Sequence, residues 1–281
     1  RLTAPNPGPM THTGTQTYLL GQPGGPVAVI DPGPDDPDHV AAILAAARDV
    51  SHILVTHSHH DHTGAVERLA CETGAPVHAF GAAGAGRSDY MAALAERGDL
   101  AGGEGIDDGF APDVVLEDGA WIDGEGWRLQ ALHTPGHLSN HMCFALPEEG
   151  ILFTGDTLMG WSSTLISPPD GSVGAFMTSV GRLMNRDERH YLPGHGEAVP
   201  DGHMLAAQQR DHRLARESQI RAHLAKGPRT VAELTAEIYA DIDERLHPAA
   251  ARNVLAHLID LAERGLLELP DDDLGRAKFR A

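Results

Sequence analysis

The run Thr56-His57-Ser58-His59-His60-Asp61-His62-Thr63-Gly64 constrains this chain more than any other stretch. Ile53-Leu54-Val55 before it reads as a buried strand, and the apolar residues of 64–70 after it recur with helical spacing. The polar cluster therefore occupies a short turn between two rigid elements. Such a turn converges side chains that alternation along one strand would separate. His57 and His59, two apart, point to one side, while Asp61 and His62 follow as the chain bends toward the helix. Imidazole and carboxylate groups of this kind bind borderline divalent metals, zinc first, with iron or manganese as alternatives. An exposed His-rich turn is the bland reading, and three more candidate ligands at strand ends weigh against it.

Those further candidates sit in similar settings. A strand over 127–133 delivers His137 through Thr134-Pro135-Gly136, where Pro fixes φ and Gly permits the tight turn. Strands over 141–146 and 151–154 form a hairpin from which Asp156 emerges in Thr154-Gly155-Asp156-Thr157. A last short strand over 190–192 ends in Pro193-Gly194-His195-Gly196. Strands over 16–20, 27–31 and 76–80, a helix over 37–50 and a helix over 172–183 complete this pattern. His141 begins a strand four residues after His137, so we expect it either to face the cleft as a proton donor or to be satisfied locally. Ser139 and Asn140 are weaker candidates for substrate contacts. Residues 81–112 read as an insertion that either shapes the cleft or runs over the surface.

Four ordered motifs, His57-x-His59-x-Asp61-His62, Thr134-Pro135-Gly136-His137, Thr154-Gly155-Asp156-Thr157 and Pro193-Gly194-His195-Gly196, resemble those of the metallo-β-lactamase-fold hydrolases. The resemblance implies an αββα sandwich with the site at one edge of its two sheets. It also implies one metal on His57, His59 and His137, a second on Asp61, His62 and His195, and Asp156 bridging them. Asp31 is then expected to orient the histidine loop. The N-terminal Asn6-Pro7-Gly8-Pro9-Met10 and Gly14-Thr15-Gln16-Thr17-Tyr18-Leu19 narrow the resemblance to the β-lactamase-like protein 2 group, which includes a mitochondrial endoribonuclease.

Beyond Pro200 the pattern turns helical, and we place a domain boundary between a catalytic region, 1–203, and a C-terminal region, 204–281. Thr230 and Glu233 form a capping box, Pro248 starts a further helix, and 266–269 with 278–280 suggest a wing. Together these elements resemble a winged helix. Its third helix carries Arg252, Asp260, Glu263 and Arg264 without a basic stripe, and Asp271-Asp272-Asp273 leads the wing. Packing or substrate enclosure is therefore the expected role, with nucleic-acid binding the alternative.

Charge bears on the substrate. Of the formal −19, nine Lys or Arg against 27 Asp or Glu precede Met204, whereas 12 against 13 follow. Such a field opposes collection of a polyanion. The leading expectation is hydrolysis of an ester, lactone or thioester small molecule by a metal-bridging hydroxide, with Asp61 able to take a proton. Endoribonuclease or phosphodiesterase activity, promiscuous β-lactam hydrolysis and non-catalytic binding are the alternatives. No run approaches the roughly 18 apolar residues that span a bilayer, which makes a cytoplasmic location without a membrane partner the expectation. Homo-oligomer formation stays open. Cys71 and Cys143 are too few for a disulfide scaffold and read as buried free thiols.

Overall fold

The computed structural model describes residues 1–98, 100, 105–270 and 273–280. Its first half contains β1 (Leu2–Thr3), β2 (Gln16–Leu20), β3 (Val27–Ile30), α1 (Pro37–Ala46), β4 (Val50–Leu54), α2 (His60–Thr63), α3 (Val66–Thr73), β5 (Val77–Ala79), α4 (Asp89–Arg97) and β6 (Val114–Val115). The second half contains β7 (Trp121–Gly124), β8 (Trp127–His133), β9 (Met142–Leu146), β10 (Ile151–Gly155), α5 (Val173–Leu183), β11 (His190–Pro193), α6 (Gly202–Leu224), α7 (Val231–Ile238) and α8 (His247–Glu263). Two sheets form, ordered β1-β2-β3-β4-β5-β6 and β11-β10-β9-β8-β7. The fold is an αββα sandwich followed by a helical C-terminal region.

Alternation along the strands builds the layers. In β3 and β4, Ala28, Ile30 and Leu54 turn toward the second sheet, where they meet Leu129, Met142 and Phe144. Val29 and Ile53 turn the other way, with Ile43 of α1 and Leu69 of α3. On the second sheet, Cys143 and Ala145 face outward with Phe176 and Val180 of α5 and Leu205 of α6. Burying both faces of each sheet leaves the strand ends as the edge where polar side chains converge.

Several boundaries differ from the expected ones. The helix over 37–50 stops at Ala46, because Val50 pairs in parallel register with Val27 as the first residue of β4. The histidine turn contains a short helix of its own, α2, so Asp61 and His62 lie on helical backbone. Residues 266–269 form no strand; Phe279 instead makes an antiparallel bridge with Arg229. Asp271 and Asp272 lie outside the described residues. Cys143 is buried as expected, but Cys71 is exposed on α3. Among the described residues no helix is long and apolar enough to cross a membrane.

The 81–112 segment is more than a surface excursion. Met91 and Leu94 of α4 pack into the C-terminal core with Ile220, Leu234, Val254 and Leu258. After Gly102, Gly103 and Glu104, which lie outside the described residues, the chain returns to the histidine turn. There Ile106 bridges His59, the Gly105 carbonyl accepts from His60 N–H, and Asp107 N–H donates to the Ser58 carbonyl.

Candidate metal centre

Four strand ends deliver the seven residues singled out in the sequence. β4 leads to His57, His59, Asp61 and His62, while β8, β10 and β11 lead to His137, Asp156 and His195. His57 Nε2 and His137 Nε2 lie 2.9 and 3.0 Å from His59 Nδ1. His62 Nε2 stands 3.4 Å from His195 Nε2 and 3.4 Å from Asp61 Oδ2. Asp156 lies between the two groups, with Oδ1 3.6 Å from His62 Nε2 and Oδ2 3.3 Å from His195 Nε2 and 3.8 Å from His137 Nε2. Three donor sets could hold a metal ion, each with ligand atoms within 4.8 Å of one another: His57, His59 and His137; His57, His62 and Asp156; and Asp61, His62 and His195.

Outer hydrogen bonds decide which ring nitrogens face inward. His137 Nδ1 donates to the Leu165 carbonyl at 2.7 Å, and His195 Nδ1 to the Gly14 carbonyl at 3.4 Å. Asp31 accepts three bonds, from Thr56 N–H and the Thr56 hydroxyl at 2.8 Å each and from His62 Nδ1 at 2.9 Å. Because the Thr56 hydroxyl spends its proton on Asp31, it accepts from His57 Nδ1 in their 3.0 Å contact. His57, His62, His137 and His195 thus turn Nε2 into the cluster. Asp31 reaches this position with φ of 51°, a strained conformation held in place by its three partners.

Electrostatics tests whether such a set suits cations. Burial, followed by neighbouring imidazoles, holds His57 well below its usual value; burial and then His137 bring His59 to about 3. Neutral rings whose lone pairs meet at about 3 Å repel one another unless a cation lies between them. Burial also opposes charge on His62 and His195. Yet Asp61, Asp31 and Asp156 raise His62 to about 9, and Asp156 with Asp61 raises His195 to about 11. The carboxylates therefore hold protons where positive charge is wanted. Asp156 Oδ1, buried and without a hydrogen-bond partner, adds an unsatisfied acceptor aimed at the same space. Imidazole and carboxylate donors in this arrangement fit borderline divalent ions.

Two glycines keep the site compact. A Cβ on Gly194 would stand 2.5 Å from Asp156 Oδ1, and one on Gly155, at φ 47°, would stand 2.6 Å from His141 Nε2. No side chain fits at either position without displacing Asp156 or His141.

His141 departs from the cleft-facing expectation. It is fully buried, its Nδ1 contacts the hydroxyls of Thr134 and Thr157 at 3.0 and 3.1 Å, and its Nε2 accepts from Asp156 N–H at 3.1 Å. With both nitrogens engaged it positions the Asp156 backbone and has no free proton site for a leaving group. Asn140 is likewise buried and donates to Ser58 Oγ and to the Gly81 and Ala82 carbonyls.

Residues missed in the sequence complete the surroundings. The Thr15 hydroxyl donates to Asp61 Oδ2 at 2.9 Å, and Thr164 Oγ1 contacts the carbonyls of Asp156 and Thr157 at 3.1 and 2.9 Å. Thr15 stands in the Gly14-Thr15-Gln16-Thr17 run, whose hydroxyl density was an available signal; Thr164 belongs to a loop whose hydroxyls read as substrate contacts near Asp156, but its Oγ1 is spent on backbone carbonyls. The cluster floors a cleft of about 740 Å³ walled by Met10, Ile106, Leu138, Met159, Trp161 and Leu165.

Comparison with known proteins then decides the family. The profile of the Metallo-beta-lactamase superfamily matches residues 10–195, and that of the Beta-lactamase associated winged helix domain matches residues 230–273. The chain belongs to the metallo-beta-lactamase superfamily. It is a metal-dependent hydrolase with an appended winged helix. An Aspergillus chevalieri protein named atrochrysone carboxyl ACP thioesterase is 32% identical over 257 residues, covering 87% of this chain and 74% of its own. A beta-lactamase-like protein 2 homolog of Drosophila melanogaster is 29% identical over 284 residues, covering 96% and 89%. A metallo-beta-lactamase family protein of Thermus thermophilus superposes with TM-score 0.78 at 26% identity, covering 99% and 97%. A further solved structure, in a di-iron-bound form, gives TM-score 0.52 at 30% identity over 72% of this chain and 94% of that one.

Proposed function

We propose that this chain hydrolyses a small-molecule thioester, ester or lactone at a two-metal site made by His57, His59 and His137 on one side, Asp61, His62 and His195 on the other, and Asp156 between. The observation that carries this reading is the cluster's position on the floor of an apolar-walled cleft, which suits an organic acyl group. The thioesterase name of one relative supports a thioester in particular. Zinc is the leading occupant on donor chemistry, and the di-iron-bound neighbour makes iron the first competitor.

Divalent ions held there would supply an acidified water and polarise the substrate carbonyl. The chain's own residues do the rest. Asp61 lines the cleft, and Thr15 holds its Oδ2; burial opposes its charge, but His62 and His195 keep it ionised, below the usual carboxylate range, as a proton acceptor for the attacking water. Asp156 spaces the two donor groups, with its backbone fixed by His141 and Thr164. Met159, Trp161 and Leu138 exclude bulk water from the acyl group.

The test is a kcat/KM panel of thioesters, lactones, phosphodiesters and short RNAs at matched metal and salt, with Asp156→Ala as the contaminant control. Asp156-dependent turnover of a carbonyl substrate above RNA is expected. Fast Asp156-dependent RNA cleavage with negligible carbonyl hydrolysis would replace this reading with an endoribonuclease.

A further inference from the structure

The cleft does not end at the metal-binding cluster. It continues under the C-terminal helices, where His212 and Arg216 of α6, Tyr239, and Ala249 and Arg252 of α8 line its far wall. Asp61 and Asp156 line the cleft beside the metal-binding cluster, apolar side chains line much of it, and Arg216 brings positive charge among its C-terminal residues. That positive charge runs against the chain's overall charge of −19.

Arg216 is the residue most clearly built for a ligand. Its guanidinium lies 4.3 Å from the centroid of the Tyr239 ring, which holds the fork flat against one wall. Nη1 donates to Gln219 Oε1 at 2.8 Å and to the Ile238 carbonyl at 3.5 Å, and Nε is buried without an acceptor. Among the described residues no carboxylate lies within salt-bridge distance of it, whereas Arg264, farther along the helices, pairs with both Glu217 and Asp260. His212 stands one turn before Arg216 on the same face of α6. Arg252, on the same wall, donates to Ser167 Oγ at 3.1 Å. A half-buried guanidinium with no carboxylate partner among the described residues, lining a largely apolar cleft, matches an anionic end group on an extended arm.

We propose that the far end of this cleft is an anion subsite, and that the substrate is a thioester whose arm runs through the apolar passage to a terminal phosphate or carboxylate bound by Arg216. This rests on the hydrolytic reading above. Water oxygen bonds to the carbonyl carbon, the C–S bond breaks, and one water proton ends on the departing sulfur. The second is released by the carboxylic acid product, so no oxidant or reductant is needed. The anion lies beyond the reacting bond and serves to select and align the substrate.

Two substrate pairs locate the anion. S-butyryl 4′-phosphopantetheine against S-butyryl pantetheine tests a phosphate on the leaving arm; the adipoyl against the hexanoyl thioester of N-acetylcysteamine tests a carboxylate on the acyl chain. The anionic member of one pair is expected to show at least tenfold higher kcat/KM, mostly through KM. In Arg216→Gln that ratio should collapse toward one, and Arg216→Lys should restore part of it. Calorimetric binding of 4′-phosphopantetheine and of adipate to the metal-loaded protein gives an independent reading. If no thioester is turned over, the thioester substrate falls while ester and lactone hydrolysis is judged on its own panel, and the subsite then stands or falls on whether Arg216→Gln weakens one of these anions at least tenfold. Equal kcat/KM within both pairs, or ratios unchanged in Arg216→Gln, would overturn the subsite while leaving thioester hydrolysis intact. Arg216-dependent cleavage of short RNA in place of either thioester pair would also overturn it.

Discussion

Arg213 Nη1 of α6 donates to Asn253 Oδ1 of α8 at 2.9 Å, and both residues grip the loop that carries Thr164, Leu165 and Ile166. Arg213 Nη2 donates to the Thr164 carbonyl, and Ile166 N–H donates to Asn253 Oδ1 at 3.1 Å. Between these anchors the Leu165 carbonyl holds His137, while the Thr164 hydroxyl meets the Asp156 carbonyl. The C-terminal helices thereby reach two residues of the proposed metal centre through this loop.

Asn253→Ala should therefore leave Ile166 N–H and one Arg213 donor unpartnered, at a cost of about 1–3 kcal/mol in stability. It should also loosen His137, reducing metal affinity as well as kcat. Thermal unfolding and competition against a metal chelator measure the two effects separately. Lower stability with unchanged metal affinity would confine the pair to a packing role.

Asp31 makes a more direct prediction. Its carboxylate accepts from Thr56 twice and from His62 Nδ1, and so orients His62 directly and His57 through the Thr56 hydroxyl. Asp31→Asn presents an amide where three donors need acceptors. Metal affinity is expected to drop on the order of 10- to 100-fold, the usual cost of losing such a partner. Competition titration with a chromophoric chelator reads this, and an affinity within twofold of the parent protein would contradict the assignment.

Asp156→Ala separates the proposed bridge from a general core defect. Removing a carboxylate between two donor groups should lower metal stoichiometry from two toward one and cut kcat/KM by at least about a hundredfold. The four-layer core includes no part of its side chain, so the far-ultraviolet spectrum should be unchanged. Elemental analysis beside the rate measurement checks both parts. Intact activity at unchanged stoichiometry would remove Asp156 from the mechanism.

The motif residues were legible because each sits one turn beyond a strand whose apolar pattern is local. His57 after β4, Asp156 after β10 and His195 after β11 each stand in a recognisable local turn, and the order of the four motifs along the chain made them a site. The role of Asp31 came from the family resemblance alone; its pairing with Thr56 and His62 rests on β3 and β4 lying side by side. The direction of His141 was not legible, because it depends on two hydroxyls, Thr134 and Thr157, brought together by different strands. Thr164 and Arg213 are 49 residues apart, and neither the loop nor the helix carries a pattern that predicts their contact. Residues 88–98 read as helical, but the same limit hid where α4 packs, with Met91 and Leu94 leaving the sandwich to join a core formed mainly by residues after 220.

His257 provides a pH prediction away from the metal centre. It is buried on α8, neither ring nitrogen has a hydrogen-bond partner, and burial, then Arg213, His212, Arg264 and Arg216, lowers its pKa from 6.5 to about 3. After burial, the groups that bear on it most are cationic and oppose its protonation. The unfolded chain binds a proton below pH 6.5 that the folded chain refuses until about pH 3. Stability linked to this residue is thus complete above pH 6.5 and is lost as pH falls below it, with a slope approaching about 1.4 kcal/mol per pH unit. His257→Leu removes the titration and an unsatisfied buried polar group at once. It should be neutral or stabilising at pH 7.5, and its advantage should grow by about 1–1.5 kcal/mol at pH 5.5. Urea unfolding of both proteins at the two pH values isolates the effect, since every other titrating group is shared. An advantage that stays constant, or shrinks, as pH falls would show that His257 takes up its proton in the folded protein.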